Sequence, residues 1–382
     1  MKFRTLDDFN FKGKHVLVRT DINSEVENGR VILNDRIIET AKTIKELQKK
    51  RAKIVLLAHQ GRPGDKDFTS LKQHAKLLNK FFRVKFVQDI IGKKAIAEIK
   101  NLKDGQAILL ENVRYLKDEM SPSIKNSLIK TLAPLFDIYI NDAFSVSHRS
   151  QTSVVSFPQI LPSGIGRTME KELKSLEKIK LRNTLFILAG SKTEENLSLL
   201  KKIKNKKNVL ACGIFGQLCT IAKGKNLGAQ NKFLADKLKF VPELKSLVKN
   251  IRTPIDFAVK VNNKRKELSL NEFPSKYEIF DIGKKTILKY KKRIKKAKSI
   301  FMKGTVGYCE EKQFCLGTKK ILEAIASSKS FSILGGGHTN SALKKLKINK
   351  DKFDYVSLSG GALVEYLAGK NLRGLEALKK RK

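Results

Sequence analysis

From Lys14 onward, short β-branched apolar runs alternate with stretches of helical period: HVLVRTDIN, RIIETAKTIKELQKK, AKIVLLAH, SLKQHAKLLNKFF and VKFVQDI. This alternation predicts βαβ units built on a parallel sheet. The series continues through QAILLENVR, the helical SIKNSLIKTLAPLF and DIYINDAF. Together they predict one doubly wound unit of about 160 residues, a common domain size.

A turn-rich segment, FPQILPSGIG, is followed by the helix-permissive RTMEKELKSLEKIK, Arg167 to Lys180, which reads as a connector. A second βα series then runs through NTLFILAG, NVLACGIFG, TPIDFAVKV, SIFMKGTVG, FSILGGGHT and DYVSLSGGA. The expected fold class is α/β, with two doubly wound parallel-sheet, Rossmann-like domains and a cleft between them. The expected boundaries are 1–166 for the first domain, 167–182 for the interdomain helix and 183–366 for the second domain.

Composition agrees, since 382 residues with 41% hydrophobic content exceed what one core usually serves. No apolar run approaches the roughly 20 residues of a membrane span or forms a signal peptide, so a cytoplasmic location is expected. Cys212, Cys219, Cys309 and Cys315 lack CxxC or zinc spacing, so inert thiols are expected rather than a metal cluster or disulfides. The formal charge of +42 would suit a polyanionic partner, but lysine is scattered through nearly every segment, as in LKKIKNKKN. We read a solvated basic surface that attracts phosphorylated substrates and meets nucleic acid only nonspecifically.

Ligands of open parallel sheets bind beyond the carboxyl ends of the strands. In the first half those positions hold Asp21 and Asn23, His59 and Arg62, Asn112 and Arg114, and Asn141, Asp142, His148 and Arg149, with Arg36 opening a helix after NGRVILND. One such arginine is usually a surface charge. Several at one sheet edge suit phosphate and carboxylate oxygens.

The second half ends its strands in glycine: AGSK at 189–192, CGIFG at 212–216, KGTVG at 303–307, GGGHT at 335–339 and SGGA at 359–362. Glycine lets backbone approach a ligand, and helix N-termini offer free N–H groups to phosphate. Tight turns alone also require glycine, but five such turns suggest a nucleotide. None fits GxxxxGK[ST] or GxGxxG.

VLVRTDINSEVENGRVILNDRI, LLAHQGRPG, ILLENVRY and YINDAFSVSHRS resemble the N-domain signatures of phosphoglycerate kinases, in order. PIDFAV, FDIGKKT, MKGTVGYCEE, ILGGGHT and SGGALVEYLAGKNLRGLEAL resemble those of the nucleotide domain, and AHQGRPG is similar to the archaeal branch. The resemblance implies transfer of a phosphoryl group between 1,3-bisphosphoglycerate with ADP and 3-phosphoglycerate with ATP, in glycolysis or gluconeogenesis; a monomer or homodimer is expected. It implies that Asp21, Asn23, Arg36, His59, Arg62, Arg114 and Arg149 hold phosphoglycerate, with Arg36 nearest the transferring group. Gly190, Lys192, Gly213, Glu310 and the loop Gly335, Gly336, Gly337, His338 and Thr339 would hold the nucleotide, with Mg²⁺ bridging its phosphates and no separate protein metal site. It also implies that residues 367–382 return to the N-domain.

The departures cluster in the nucleotide half. Asn196 stands where the family usually has a second lysine beside the transferring phosphoryl group, and Lys303 replaces the asparagine of its NGP turn. An amide cannot stabilise a metaphosphate-like transition state as a cation does, and Lys303 is the candidate to supply that charge from another strand. Cys212, Ile214 and Phe215 add side chains to a stretch expected to line the adenine pocket, and His338 stands where many members have aspartate. The alternative reading is a catalytically weakened homologue that binds phosphoglycerate or polyanions such as nucleic acid.

Overall fold

The computed structural model describes residues 3–379, and the outermost ends of the expected 1–166 and 367–382 segments lie outside the described residues. The strands are β1 (His15–Thr20), β2 (Val26–Glu27), β3 (Arg30–Val31), β4 (Lys53–Leu57), β5 (Lys85–Val87), β6 (Ala107–Leu110), β7 (Ile138–Asp142) and β8 (Ser163–Ile165) in the first half. The second half contributes β9 (Leu185–Leu188), β10 (Val209–Ala211), β11 (Asp256–Val261), β12 (Lys264–Ser269), β13 (Ile279–Ile282), β14 (Ser299–Lys303), β15 (Phe331–Gly335) and β16 (Tyr355–Val356). The chain divides into two compact units, one running to Lys174 and resuming at Asn371, the other Ser175–Lys370. The changeover falls within the helix Arg167–Glu177.

The first unit carries a six-stranded sheet in the order β5-β6-β4-β1-β7-β8, paired in parallel throughout. Strand β1 is buried from Val16 to Thr20, as expected where helices cover both faces of a sheet. The helix Asp35–Lys49 starts where Asn34 Oδ1 accepts from the backbone N–H of Arg36 and Ile37, at 3.1 and 3.2 Å. It buries Ile37, Ala41, Ile44 and Leu47 at helical spacing. Each large aliphatic side chain so buried contributes roughly 1.5–3 kcal/mol. The cap thus fixes Arg36 in the first turn, above the sheet's carboxyl edge. The SGI of the segment read as turns instead forms the edge strand β8, because Tyr139 and Asn141 offer ladder partners. From Asn371 the chain packs on this unit, where Gly374 N–H donates to Ser147 O at 2.7 Å.

The second unit carries a five-stranded parallel sheet, β10-β9-β14-β15-β16. One expectation fails here. The run TPIDFAVKV does not join that sheet but forms β11 of a separate antiparallel sheet, β12-β11-β13. The cause is the two-residue turn Asn262–Asn263, both at positive φ, which folds β12 straight back on β11. The cysteine expectation fails in part: Cys309 and Cys315 form a disulfide, because the turn Lys312–Phe314 brings their Cα atoms to 4.2 Å. Cys212 and Cys219 are buried free thiols.

Candidate functional site

In the first unit the charged residues come from the carboxyl ends of four adjacent strands, β6, β4, β1 and β7. Strand β1 is where the chain's progress across the sheet reverses, the position at which open sheets bind ligands. Arg36 Nη1 lies 3.4 Å from Asp21 and donates to the Asn23 carbonyl. Asn23 Oδ1 accepts from Gly61 N–H at 2.9 Å, tying the loop after β1 to the loop after β4. Arg114 Nη1 donates to the Gly61 carbonyl, while its Nε and Nη2 are buried without a hydrogen-bond partner. Arg62 is exposed, and Arg149 is half-buried with its Nε 3.5 Å from His148 Nε2.

These cations repel one another. Burial, then Arg19 and Arg149, pushes Arg114 down to about 10, and burial with Arg62 lowers Arg149. Burial first, then Arg19, Arg114, Arg36 and Arg149, holds His59 well below the usual histidine range, so the ring is neutral. Against this repulsion, Glu119 favours the charged form of Arg114 and Asp21 that of Arg149. Such a concentration of charge, with buried donors left open, is arranged to accept an anion.

Other strand-end residues are structural. Asn112 Nδ2 donates to the carbonyls of Gln60 and Thr69 at 2.8 and 2.9 Å, bracing the loop after β4. Asp142 accepts from Thr43 Oγ1 at 2.6 Å and Met169 N–H at 2.9 Å, and Asn141 Oδ1 accepts from Ala143 N–H. Sequence reasoning missed Arg19, fully buried and inside β1, because its strand position reads as an alternation break rather than a site. It also missed Glu119, buried in the turn Lys117–Met120. A charge amid apolar strand residues was the available signal for Arg19.

In the second unit the loops after β9, β10, β14 and β15 converge. A Cβ on Gly304 would stand 2.5 Å from Ala189 O, and one on Gly213 would stand 2.7 Å from Gly190 N. These glycines are required by backbone packing between loops. Gly335 likewise faces Leu363, and Thr339, buried, accepts from Gly304 N–H at 3.0 Å. Gly337 and His338, by contrast, are exposed at the start of the helix Gly337–Lys345, and a Cβ on Gly337 would meet nothing within 4 Å. Glu310 is exposed in the loop that the disulfide closes.

Glu195 joins two lysines here: Lys303 Nζ at 2.8 Å and Lys192 Nζ at 3.4 Å. Asn196 is turned inward, its Nδ2 donating to the Ala189 carbonyl at 2.9 Å, so it braces the loop. Cys212 and Phe215 are fully buried rather than projecting into a pocket, leaving Gly213 and Ile214 half-buried.

Comparison with known proteins identifies the family of the chain. The profile of the phosphoglycerate kinase family matches residues 6–370. The phosphoglycerate kinase of Saccharolobus solfataricus is 41% identical, over 98% of this chain and 96% of that protein. That of Methanothermus fervidus is 38% identical, over 99% and 97%. The crystal structure of phosphoglycerate kinase from Pyrococcus horikoshii OT3 superposes with a TM-score of 0.91 at 35% identity, covering 98% of both chains. That from Coxiella burnetii gives 0.80 at 29% identity, again covering 98% of both. The chain belongs to the phosphoglycerate kinase family.

Proposed function

We propose that this chain catalyses reversible phosphoryl transfer, 1,3-bisphosphoglycerate + ADP to 3-phosphoglycerate + ATP, by direct in-line displacement. The observation that carries the assignment of the acceptor site is the set of guanidiniums around His59, with two buried Arg114 nitrogens left open. In this reading Arg36, Arg62, Arg114 and Arg149 pair with the carboxylate and phosphate oxygens, Asp21 and Asn23 hold Arg36 and the loops in place, and His59 donates from its neutral ring. Arg36 faces the transferring group from its helix N-terminus.

On the nucleotide side, Gly190, Gly213, Gly335 and Gly336 let the loops meet, Thr339 braces them, and Gly337, His338, Glu310 and Lys192 face the nucleotide. Lys303 supplies the cation that Asn196 cannot. Among the described residues no three His, Cys, Asp or Glu side chains cluster as a metal cage. Mg²⁺ would enter with the nucleotide, held mainly through its phosphates, and would supply neutralisation of developing charge. Transfer requires the two ligands to be brought together with water excluded, so closure of the two units on each other belongs to the proposal. Among the described residues no helix is long and apolar enough to cross a membrane. We place the enzyme in the cytoplasm, as a monomer or homodimer.

A coupled assay with ATP, Mg²⁺ and 3-phosphoglycerate tests the assignment. Turnover well above a protein-free blank is expected. Turnover equal to the blank from folded protein, with phosphoglycerate or polyanion binding retained, would favour the weakened homologue.

A further inference from the structure

A chain of buried polar contacts runs behind the phosphoglycerate site. Glu119, fully buried, takes Ser153 N–H on Oε2 at 2.9 Å and Ser153 Oγ–H on Oε1 at 2.7 Å. Ser153 Oγ accepts from Arg19 Nε at 2.8 Å. Arg19 in turn places Nη1 on the Thr20 carbonyl at 2.6 Å and Nη2 3.1 Å from His59 Nδ1. Tyr139 O–H holds the Ser153 carbonyl at 2.7 Å, so the short helix Thr152–Val155 cannot drift.

The polarity of this chain has one solution. A guanidinium has donors and no acceptor, so His59 Nδ1 must accept, and the ring's one hydrogen sits on Nε2. We propose that Glu119, acting through Ser153 and Arg19, is a positioning residue that locks His59 in the Nε2–H tautomer, ready to donate to an oxygen of the bound phosphoglycerate. The inference rests on the acceptor-site reading above. The charged groups facing His59 are Arg19 from β1, Arg36 from the helix Asp35–Lys49, Arg114 from the turn Val113–Tyr115, and Arg149 beyond β7. All four disfavour a second proton on the ring, so the tautomer holds across neutral pH.

Glu119→Gln removes the buried negative charge and one of the two accepting oxygens that orient Ser153, so Arg19 loses its anchor and is no longer held against His59 Nδ1. ¹⁵N NMR of the histidine rings in ligand-free protein reads the tautomer without any turnover, and only five histidines need assignment. Wild type is expected to show an unprotonated Nδ1 and protonated Nε2 from pH 6 to 8. Glu119→Gln, or Ser153→Ala should the first fail to fold, is expected to mix the tautomers. Either change should raise KM for 3-phosphoglycerate about tenfold, with KM for ATP unchanged, as for loss of one charge-assisted hydrogen bond. A protonated Nδ1 in the wild type, or a variant whose KM rises with the tautomer intact, overturns the proposal. Failure of wild type to bind 3-phosphoglycerate despite the expected spectrum overturns the acceptor-site reading instead.

Discussion

Lys303 Nζ stands 2.8 Å from Glu195 Oε2, with the Lys303 side chain 5% exposed at the end of β14. Burial lowers this amine below the usual lysine range, and Glu195 opposes that by favouring the charged form. The pair therefore keeps a cation at the loop junction, where the neighbouring Asn196 carries none. Lys303→Asn should lower kcat on the order of 10²-fold, the cost typical of removing one electrostatic donor. KM for 3-phosphoglycerate should stay unchanged. A kcat equal to or above wild type would show that the lysine is not the compensating charge.

Gly304 sits at φ +83°, and an added Cβ would stand 2.5 Å from the Ala189 carbonyl. Gly304→Ala should destabilise the second unit by about 2–4 kcal/mol through combined strain and clash. Gly337→Ala, with open space around it, should leave unfolding unchanged while raising KM for ATP. Denaturant titrations of both variants check this, and equal stability losses would contradict it.

The Asp142 carboxyl is pushed up to about 6, burial being the largest cause, against 3.8 when free. Because the folded chain holds this proton more tightly, the associated stability is complete below about pH 4 and lost as pH rises through about 6. Asp142→Asn cannot titrate. Its stability relative to wild type should therefore improve between pH 4.5 and 7, as measured by urea unfolding. Parallel pH curves would count against the raised value.

The Cys309–Cys315 disulfide closes a loop of sequence separation 6, for which chain entropy gives about 2 kcal/mol of stabilisation. Adding a dithiol reductant should lower the melting temperature of wild type but not of a Cys309→Ser, Cys315→Ser variant. Identical melting with and without reductant would refute a contribution from the bond.

Much of this was legible in the sequence because parallel strands leave strong signals. HVLVRT, KIVLL and AILL fall in β1, β4 and β6, and their carboxyl ends are where Asp21, His59 and Arg114 stand. What stayed hidden depended on tertiary partners. DFAVKV is as apolar as a parallel strand, and only its turn at Asn262–Asn263 and pairing with KRKELS set it apart. Glu119 reads as one more charge in a polar stretch, KDEM, until Ser153 and Arg19, distant in sequence, surround it. The cysteine pairing likewise depends on a turn that spacing alone does not reveal.

The glycine contacts between the loops after β9, β10 and β14 leave no room for a methyl group at Gly213 or Gly304. Substitution at this end of the sheet meets no such limit at the side chains that flank the glycines, such as Asn196 and Lys303. A cradle built this way holds its shape through backbone contacts rather than through charge, so a changed charge here is a poor guide to loss of fold.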